Sequence, residues 1–439
     1  MLKLLLLLTA ALCSDAITPP KSKLSPTTKT QAVHRGGGAM TETQATVSLF
    51  KTIVGGGILA LPAGMAAGRG TGVLPGLLIL ALHAGASAYT YSLVGRSVAK
   101  TRSKTFSELW SAAFGKETSW IIDLIIVGVA GGAALTYSCF TGDLLKQLSG
   151  IERTRAIALL TLFPIGPLAL LRDLSALKHS TIAGLMAVAV SALVIVSRSL
   201  DGSYGEGGAF AGWLASSENA LDQVSTTQLS VGSAVLFNML STAFMCHTNA
   251  VRAYDELGPK HRHASVARKA FGLAGLLYGV VMLAGYVTFG GACEGLVLAN
   301  YDANDPRARV AWIATLVSLL SSYPLLFTGF RDAMCSLLGV ATPGKFLPFA
   351  GLSLSLLAVP VLLAIVVPDV GFVVSLMGAS LGAALILVVP SLIGRRVLAD
   401  KDCAKGERGA MRLVAAFGVL VGLFGTTVTV LETYTDLLS

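Results

Sequence analysis

Residues 45 to 65 read Ala45-Thr46-Val47-Ser48-Leu49-Phe50-Lys51-Thr52-Ile53-Val54-Gly55-Gly56-Gly57-Ile58-Leu59-Ala60-Leu61-Pro62-Ala63-Gly64-Met65. The stretch is apolar and long enough to enter a membrane, yet it carries three adjacent glycines and, one helical turn before them, a lysine. Each glycine weakens a helix by roughly 1 kcal/mol relative to alanine, so the chain can unwind there. Unpaired amides at membrane depth are tolerated only where protein or a water-filled cavity covers them, and interrupted helices of this kind build the substrate sites of secondary transporters. Glycines also allow helices to approach closely, and on this segment alone both readings stand.

The surrounding chain decides the setting. Of its 439 residues 54% are hydrophobic and only 13% charged, and the mean hydropathy is positive. Such a composition excludes an ordinary soluble domain and defines an all-α polytopic membrane protein. Apolar stretches of about 20 residues predict eleven spans. They lie near 46–68, 71–95, 119–142, 154–171, 179–197, 230–251, 270–292, 310–330, 346–367, 370–393 and 413–431.

The net charge of +9 invites a nucleic-acid reading, but its distribution argues against one. One set of alternate connections, including the amino-terminal segment, holds 24 of the 33 Lys and Arg residues; the opposite set holds 7, with Lys3 and Lys51 outside both. Such an asymmetry is the positive-inside pattern. It predicts the amino terminus inside, the carboxyl terminus outside and an odd number of spans. The lipid bilayer, not nucleic acid, is the expected partner.

Ahead of the first span, Lys3, the run Leu4 to Leu12 and the small-residue site Ser14-Asp15-Ala16 have the three zones of a secretory signal. From Ile17 to Thr41 there is no acidic residue, while Ser, Thr, Pro, Lys and Arg are frequent, as in an organellar transit peptide. A signal over 1–16 followed by a transit-like tail over 17–45 resembles the bipartite presequences of algae with complex plastids. The expectation is a plastid envelope, with a vacuolar, other endomembrane or plasma-membrane location and a plain cytosolic tail as alternatives. The transporter domain is placed at 46–433.

Six cysteines at 13, 139, 246, 293, 335 and 403 have no spacing that suggests zinc or a redox dithiol, so neither a metal nor a cofactor is expected. Cys139 and Cys293 fall near the outer side and are candidates for a bridge. The connection Ser199 to Gln228, with Asp201, Glu206, Glu218 and Asp222, reads as a solvated outer loop. It separates five spans from six, where two inverted five-helix repeats plus one helix would divide.

In such an arrangement span 6 is the counterpart of span 1. Its Ser241, Thr242, Cys246, His247, Thr248 and Asn249 put polarity where a second interruption is expected, although no glycine marks one. His247 is a candidate for gating or proton transfer, set against a structural role near the inner interface. In span 8, Thr315, Ser318 and Ser322 recur at three and four residues and share one helix face. That stripe can coordinate a cation or bond its own backbone.

At this point the residues resemble a known family, the amino acid/auxin permeases. The likeness rests on Ile53-Val54-Gly55-Gly56-Gly57-Ile58-Leu59 with Leu61-Pro62, on Arg172-Asp173-Leu174-Ser175-Ala176-Leu177-Lys178 with Ser180, and on Cys246-His247-Thr248-Asn249-Ala250 with Tyr254 and Glu256-Leu257. Gly285-Tyr286-Val287-Thr288-Phe289-Gly290, Asn300-Tyr301, Tyr323-Pro324 and Arg331-Asp332 follow in the family's order, and the likeness covers roughly 44–433. The resemblance implies a leucine-transporter-like fold and movement of amino acids coupled to sodium or protons. One position departs from it, because Lys51 stands where relatives commonly have asparagine.

The reading is therefore a secondary active amino acid transporter working by alternating access. The amides of Gly55, Gly56, Gly57 and Ile58 are expected to hold the substrate carboxylate at a positive half-helix end. Ser241, Thr242 and Cys246 are expected to shape its side-chain pocket, which favours neutral amino acids. Lys51 is expected to occupy the place of a sodium ion and to exchange a proton during the cycle, with Asp123 as counter-charge and Ser318 and Ser322 nearby. Two other readings compete with it: an amino acid sensor without net transport, and a membrane enzyme. The enzyme reading is disfavoured because Ser241 and His247, six residues apart, do not face each other on one helix.

Overall fold

The computed structural model describes residues 40–171, 180–212, 220–340, 342–367 and 369–434. The signal-like segment 1–16, most of the tail 17–45 with Cys13, the Arg172–Lys178 block and Glu218 lie outside them. Among the described residues the secondary structure is helical except for one backbone pairing, Met40 with Leu257. Met40 lies six residues before residue 46, the expected start of the transporter domain. Helix α1 (Glu42–Ile53) begins at Thr41, whose side chain and that of Gln44 satisfy each other's backbone amides in a capping box.

Helix α2 (Leu61–Ala66) follows after an interruption, and α3 (Val73–Thr101), α4 (Phe106–Phe114) and α5 (Ser119–Ser149) come next. Helix α6 (Arg153–Leu160) passes through a widened turn at Thr161–Ile165, where Pro164 removes a donor, into α7 (Gly166–Ala169). The chain continues through α8 (Ser180–Leu200), α9 (Ser233–Ala243), α10 (Ala250–Glu256), α11 (His263–Phe289), α12 (Pro306–Leu338), α13 (Phe346–Val366), α14 (Val370–Met377), α15 (Val389–Val397) and α16 (Glu407–Tyr434). Two further widened turns, Gly378–Gly382 and Ala384–Val388, join α14 to α15.

Seven of these continuous helical stretches are long and apolar enough to cross a membrane, and the α1–α2 pair, bent by 47°, makes an eighth. The predicted spans at 154–171 and 230–251 fall on the interrupted α6–α7 and α9–α10, and that at 179–197 falls on α8, which at 21 residues is as long as α13. Apolar side chains also face outward. Leu74, Leu78 and Leu82, four residues apart on α3, are all more than half exposed, the arrangement of a helix whose surroundings are lipid.

Counterpart helices of the two halves pack on one another: α2 on α9, α3 on α11, α5 on α12, and α6 with α7 on α13. Among the described residues, ion pairs between separate elements join connections assigned to the same side. Glu42 meets Lys269 and Arg262, Lys104 meets Asp255, and Arg96 and Lys100 meet Glu407 and Asp402 on one side, whereas Arg198 and Arg307 meet Asp305 and Asp201 on the other.

Two expectations are corrected. The 199–228 connection is not simply solvated, since Tyr204 is buried against Asp305 and the backbone of Ser225, Thr226 and Gln228 accepts from Val73, Leu74 and Gly72. Cys139 and Cys293 are both free thiols, so no bridge joins them.

Candidate functional site

Helix α1 stops at Ile53 because the next residues leave helical geometry: Val54 (φ −77°, ψ 101°) and Gly55 (φ −134°, ψ −165°) are extended. A tight turn over Gly56–Ala60 then leads into α2, with Pro62 near its start, where a missing amide is harmless. The Gly55 dihedrals are open to any residue, and it is space, not strain, that explains Gly56 and Gly57. A Cβ on Gly57 would lie 3.2 Å from the Cα of Ala243, and one on Gly56 would lie 3.3 Å from the Phe140 ring. A Cβ on Gly55 would meet nothing within 4 Å.

In a turn bonded from residue i to i+3, the amides of Gly55, Gly56 and Gly57 have no acceptor of their own. The Ile58 amide differs from the expectation, because it points back to the Gly55 carbonyl at 3.4 Å.

Span 6 is interrupted as well, and without glycine. Helix α9 ends at Ala243, the chain is irregular at Met245 and Cys246, and a short turn over His247–Asn249 leads to α10. The breaks share one side chain. The buried Tyr278 hydroxyl, on α11, lies 2.8 Å from the Ile53 carbonyl and 2.8 Å from the Ala243 carbonyl. With one proton it donates to one of the two at a time.

A cavity of about 170 Å³ opens at the first break. It is lined by Gly55 and Gly56, by Lys51 and Thr52 before them, by Tyr137 from α5, and by Thr315, Ser318 and Ser322 from α12. Helix α8 closes the wall, where a Cβ on Gly184 would lie 3.2 Å from Ser318 Oγ. The structure thus gathers Lys51, Gly55, Gly56, Ser318 and Ser322 into one place. Thr315 Oγ1 is paired with Ser191 Oγ at 2.7 Å, and Ser321 returns to its own helix at the Val317 carbonyl. Among the described residues, the hydroxyls of Ser318 and Ser322 make no such bond, and Lys51 makes no ion pair.

Other expected residues lie elsewhere. Asp123 does not line the cavity, and its Oδ1 accepts from Ser107 Oγ at 2.7 Å. Ser241 bonds the Phe237 carbonyl and Thr242 bonds the Val374 carbonyl at 2.6 Å. Both face the α14–α15 segment, because Gly378 and Gly382 allow it to press against them. Cys246 is buried away from the cavity. His247 is fully buried, with Nε2 3.1 Å from Thr90 Oγ1 and 3.3 Å from the Ser87 carbonyl.

Sequence reasoning missed Tyr137, Thr52 and Tyr278. A lone tyrosine in an apolar span carries no periodic signal, and Tyr278 is found only once the two breaks are known.

Two interrupted helices meeting beside a small cavity, within nearly all-helical packing, define the leucine-transporter-like fold. Solved structures agree. A Na+-coupled sialic acid symporter in a substrate-bound outward-open state superposes with a TM-score of 0.53 at 14% identity, covering 91% of this chain and 90% of that one. Mhp1 in its inward-facing conformation gives 0.55 at 13% identity, covering 94% and 93%. At these identities the likeness concerns the fold alone.

Residues 38–433 match the family model described as "Transmembrane amino acid transporter protein", and the chain belongs to that family. Among similar proteins, solute carrier family 38 member 10 of Mus musculus is 24% identical over 88% of this chain. Vacuolar amino acid transporter 7 of Saccharomyces cerevisiae is 28% identical over 66%, and amino acid transporter AVT6E of Arabidopsis thaliana 23% identical over 87%. The chain spans only 35% of the mouse protein and 58% of the yeast one, but 81% of the plant one. These relatives are transporters, which sets the enzyme reading aside.

Proposed function

We propose that this protein is a secondary active carrier of neutral amino acids, coupled to protons and working by alternating access. The observation that carries the proposal is the single cavity shared by the free amides of the first helix break, the Lys51 ammonium and the unbonded hydroxyls of Ser318 and Ser322. Backbone amides at the start of a helical turn suit a substrate carboxylate. The lining residues include no carboxylate to pair with a cationic side chain, and a cavity of about 170 Å³ suits one small solute. Lys51 stands beside the two hydroxyls where a bound cation would otherwise sit, which favours proton over sodium coupling.

The same reading takes eleven crossings, with α6–α7, α8 and α9–α10 added to the other eight, and the amino terminus inside. It assigns residues 1–16 to a signal and the tail to plastid import. Fusion of residues 1–45 to a fluorescent reporter in an alga with a complex plastid tests the address; reporter confined to the plasma membrane or vacuole refutes it.

Function is tested with purified protein in liposomes, a mixture of labelled neutral amino acids, and an imposed proton gradient with sodium replaced by choline. Uptake driven by the gradient is the expected result. Uptake only with sodium overturns proton coupling, and tight binding without flux turns the protein into a sensor.

A further inference from the structure

Beneath the candidate substrate cavity lies a second, smaller chamber of about 40 Å³. Its walls come from α1 (Ser48, Thr52), from α3 (Tyr91), from α10 and the turn before it (Asn249, Glu256), and from the first turn of α11 (His263). Thr52 lines both this chamber and the Lys51 cavity. Met40 and Leu257, the two residues of the lone backbone pairing, lie in the wall too. The volume has room for about two water molecules.

Two side chains of the wall are buried without being satisfied. His263 is 5% exposed and Tyr91 is fully buried, yet neither ring nitrogen of His263 nor the Tyr91 hydroxyl has a hydrogen-bond partner. Leaving three polar atoms unpaired in a membrane protein costs free energy, so their retention at one chamber points to use. The rings of Tyr91 and His263 are stacked with centroids 5.5 Å apart, and Gly95 leaves room for the imidazole.

The groups facing this imidazole come from each neighbouring element. Tyr91 faces it from α3 and Tyr254 from α10, edge-on at 5.3 Å. Glu256 of α10 stands across the chamber, with Oε1 engaged by Arg252 at 2.8 Å. Lys260 precedes it and leans over Tyr254. Glu42 from α1 is held by Ser265, Lys269 and Arg262. His247 packs on Tyr91 from the second helix break.

We propose that His263 is a proton-binding site on the amino-terminal side of the carrier, reached through the chamber it shares with Tyr91 and Glu256 and continued past Thr52 toward Lys51. A proton arriving from that side bonds to a free ring nitrogen. Glu256 is the carboxylate available to the resulting imidazolium, and the return of the proton to chamber water completes the transfer. The use of this proton in coupling rests on the transport reading, whereas the site does not.

The test is exchange of the imidazole C2 hydrogen in D2O, read for each histidine by mass spectrometry on the full chain across pH 4 to 9. Exposed His261 and buried His83, which does not line the chamber, are internal references. His263 is expected to exchange at least about tenfold faster than His83, with a sigmoidal dependence on pH. Exchange as slow as that of His83 and flat in pH overturns the proposal.

Glu256→Gln, checked for folding by unchanged His83 exchange, is expected to lower the His263 midpoint by about 0.5 to 1 pH unit, because it removes a charge that favours the imidazolium. An unmoved midpoint overturns the role given to Glu256. None of these measurements needs a substrate, so they stand apart from failure of the transport assay.

Discussion

Gly57 packs directly on the backbone of Ala243, so the two helix breaks touch where neither chain has a side chain to yield. Gly57→Val is expected to abolish transport and to destabilise the fold by about 1–3 kcal/mol, because the clash is with backbone. Gly55→Ala is expected to fold normally and raise KM, since its methyl enters the open cavity. Initial uptake rates and thermal unfolding of both variants check this, and a fully active Gly57→Val refutes the contact.

Tyr278→Phe removes the hydroxyl shared by the Ile53 and Ala243 carbonyls. Two buried acceptors lose their common donor, at an expected loss of about 1–3 kcal/mol. Turnover is expected to fall more than apparent substrate affinity, because the hydroxyl ties the breaks together and does not line the cavity. Unchanged stability and unchanged turnover would dispose of that tie.

Lys51→Asn removes the ammonium from the wall that holds Ser318 and Ser322. Uptake driven by a proton gradient is expected to vanish, and sodium is expected to stimulate whatever transport remains. A variant with the unmodified protein's pH profile leaves Lys51 as a lysine that reaches to the interface and does nothing more.

On the opposite side, Arg198 donates to both oxygens of Asp305 at 2.8 and 2.5 Å, and Tyr204 donates to the same carboxylate. Burial pushes the Asp305 carboxyl up, but the bonds from Arg198, the Ala308 and Arg307 amides and Tyr204 outweigh it and hold it below its ordinary 3.8. A depressed carboxyl contributes stability that is complete above its unfolded value and lost as pH falls through its folded one. Asp305→Asn is therefore expected to cost about 3–5 kcal/mol at neutral pH by leaving a buried cation underpaired. The difference from the unmodified protein should shrink below about pH 3.8 in unfolding measurements. A constant difference down to pH 2 contradicts the assignment.

The order of the helices was legible because hydrocarbon permits few backbone solutions, so long apolar runs such as those of α11 and α13 declare themselves. Gly55–Gly57 announced the first break through propensity. The second break, at Met245 and Cys246, was hidden because its local sequence has no helix breaker and the interruption is held by Tyr278 from another helix. Ser241 and Thr242 looked like pocket residues since hydroxyls in an apolar span have two uses, and here they bond Phe237 and Val374. For Asp123, depth along a helix is readable, but an azimuth that meets Ser107 is a property of packing. The 199–228 connection concealed Tyr204, whose partner Asp305 lies about a hundred residues away.

Met40 exchanges two backbone hydrogen bonds with the end of span 6, donating to the Glu256 carbonyl and accepting from the Gly258 amide, each at 2.9 Å. That pairing sets a proteolytic boundary. A cut beyond it would release the strap that holds α1 to the other half of the molecule and leave the Glu256 carbonyl and the Gly258 amide without that partner.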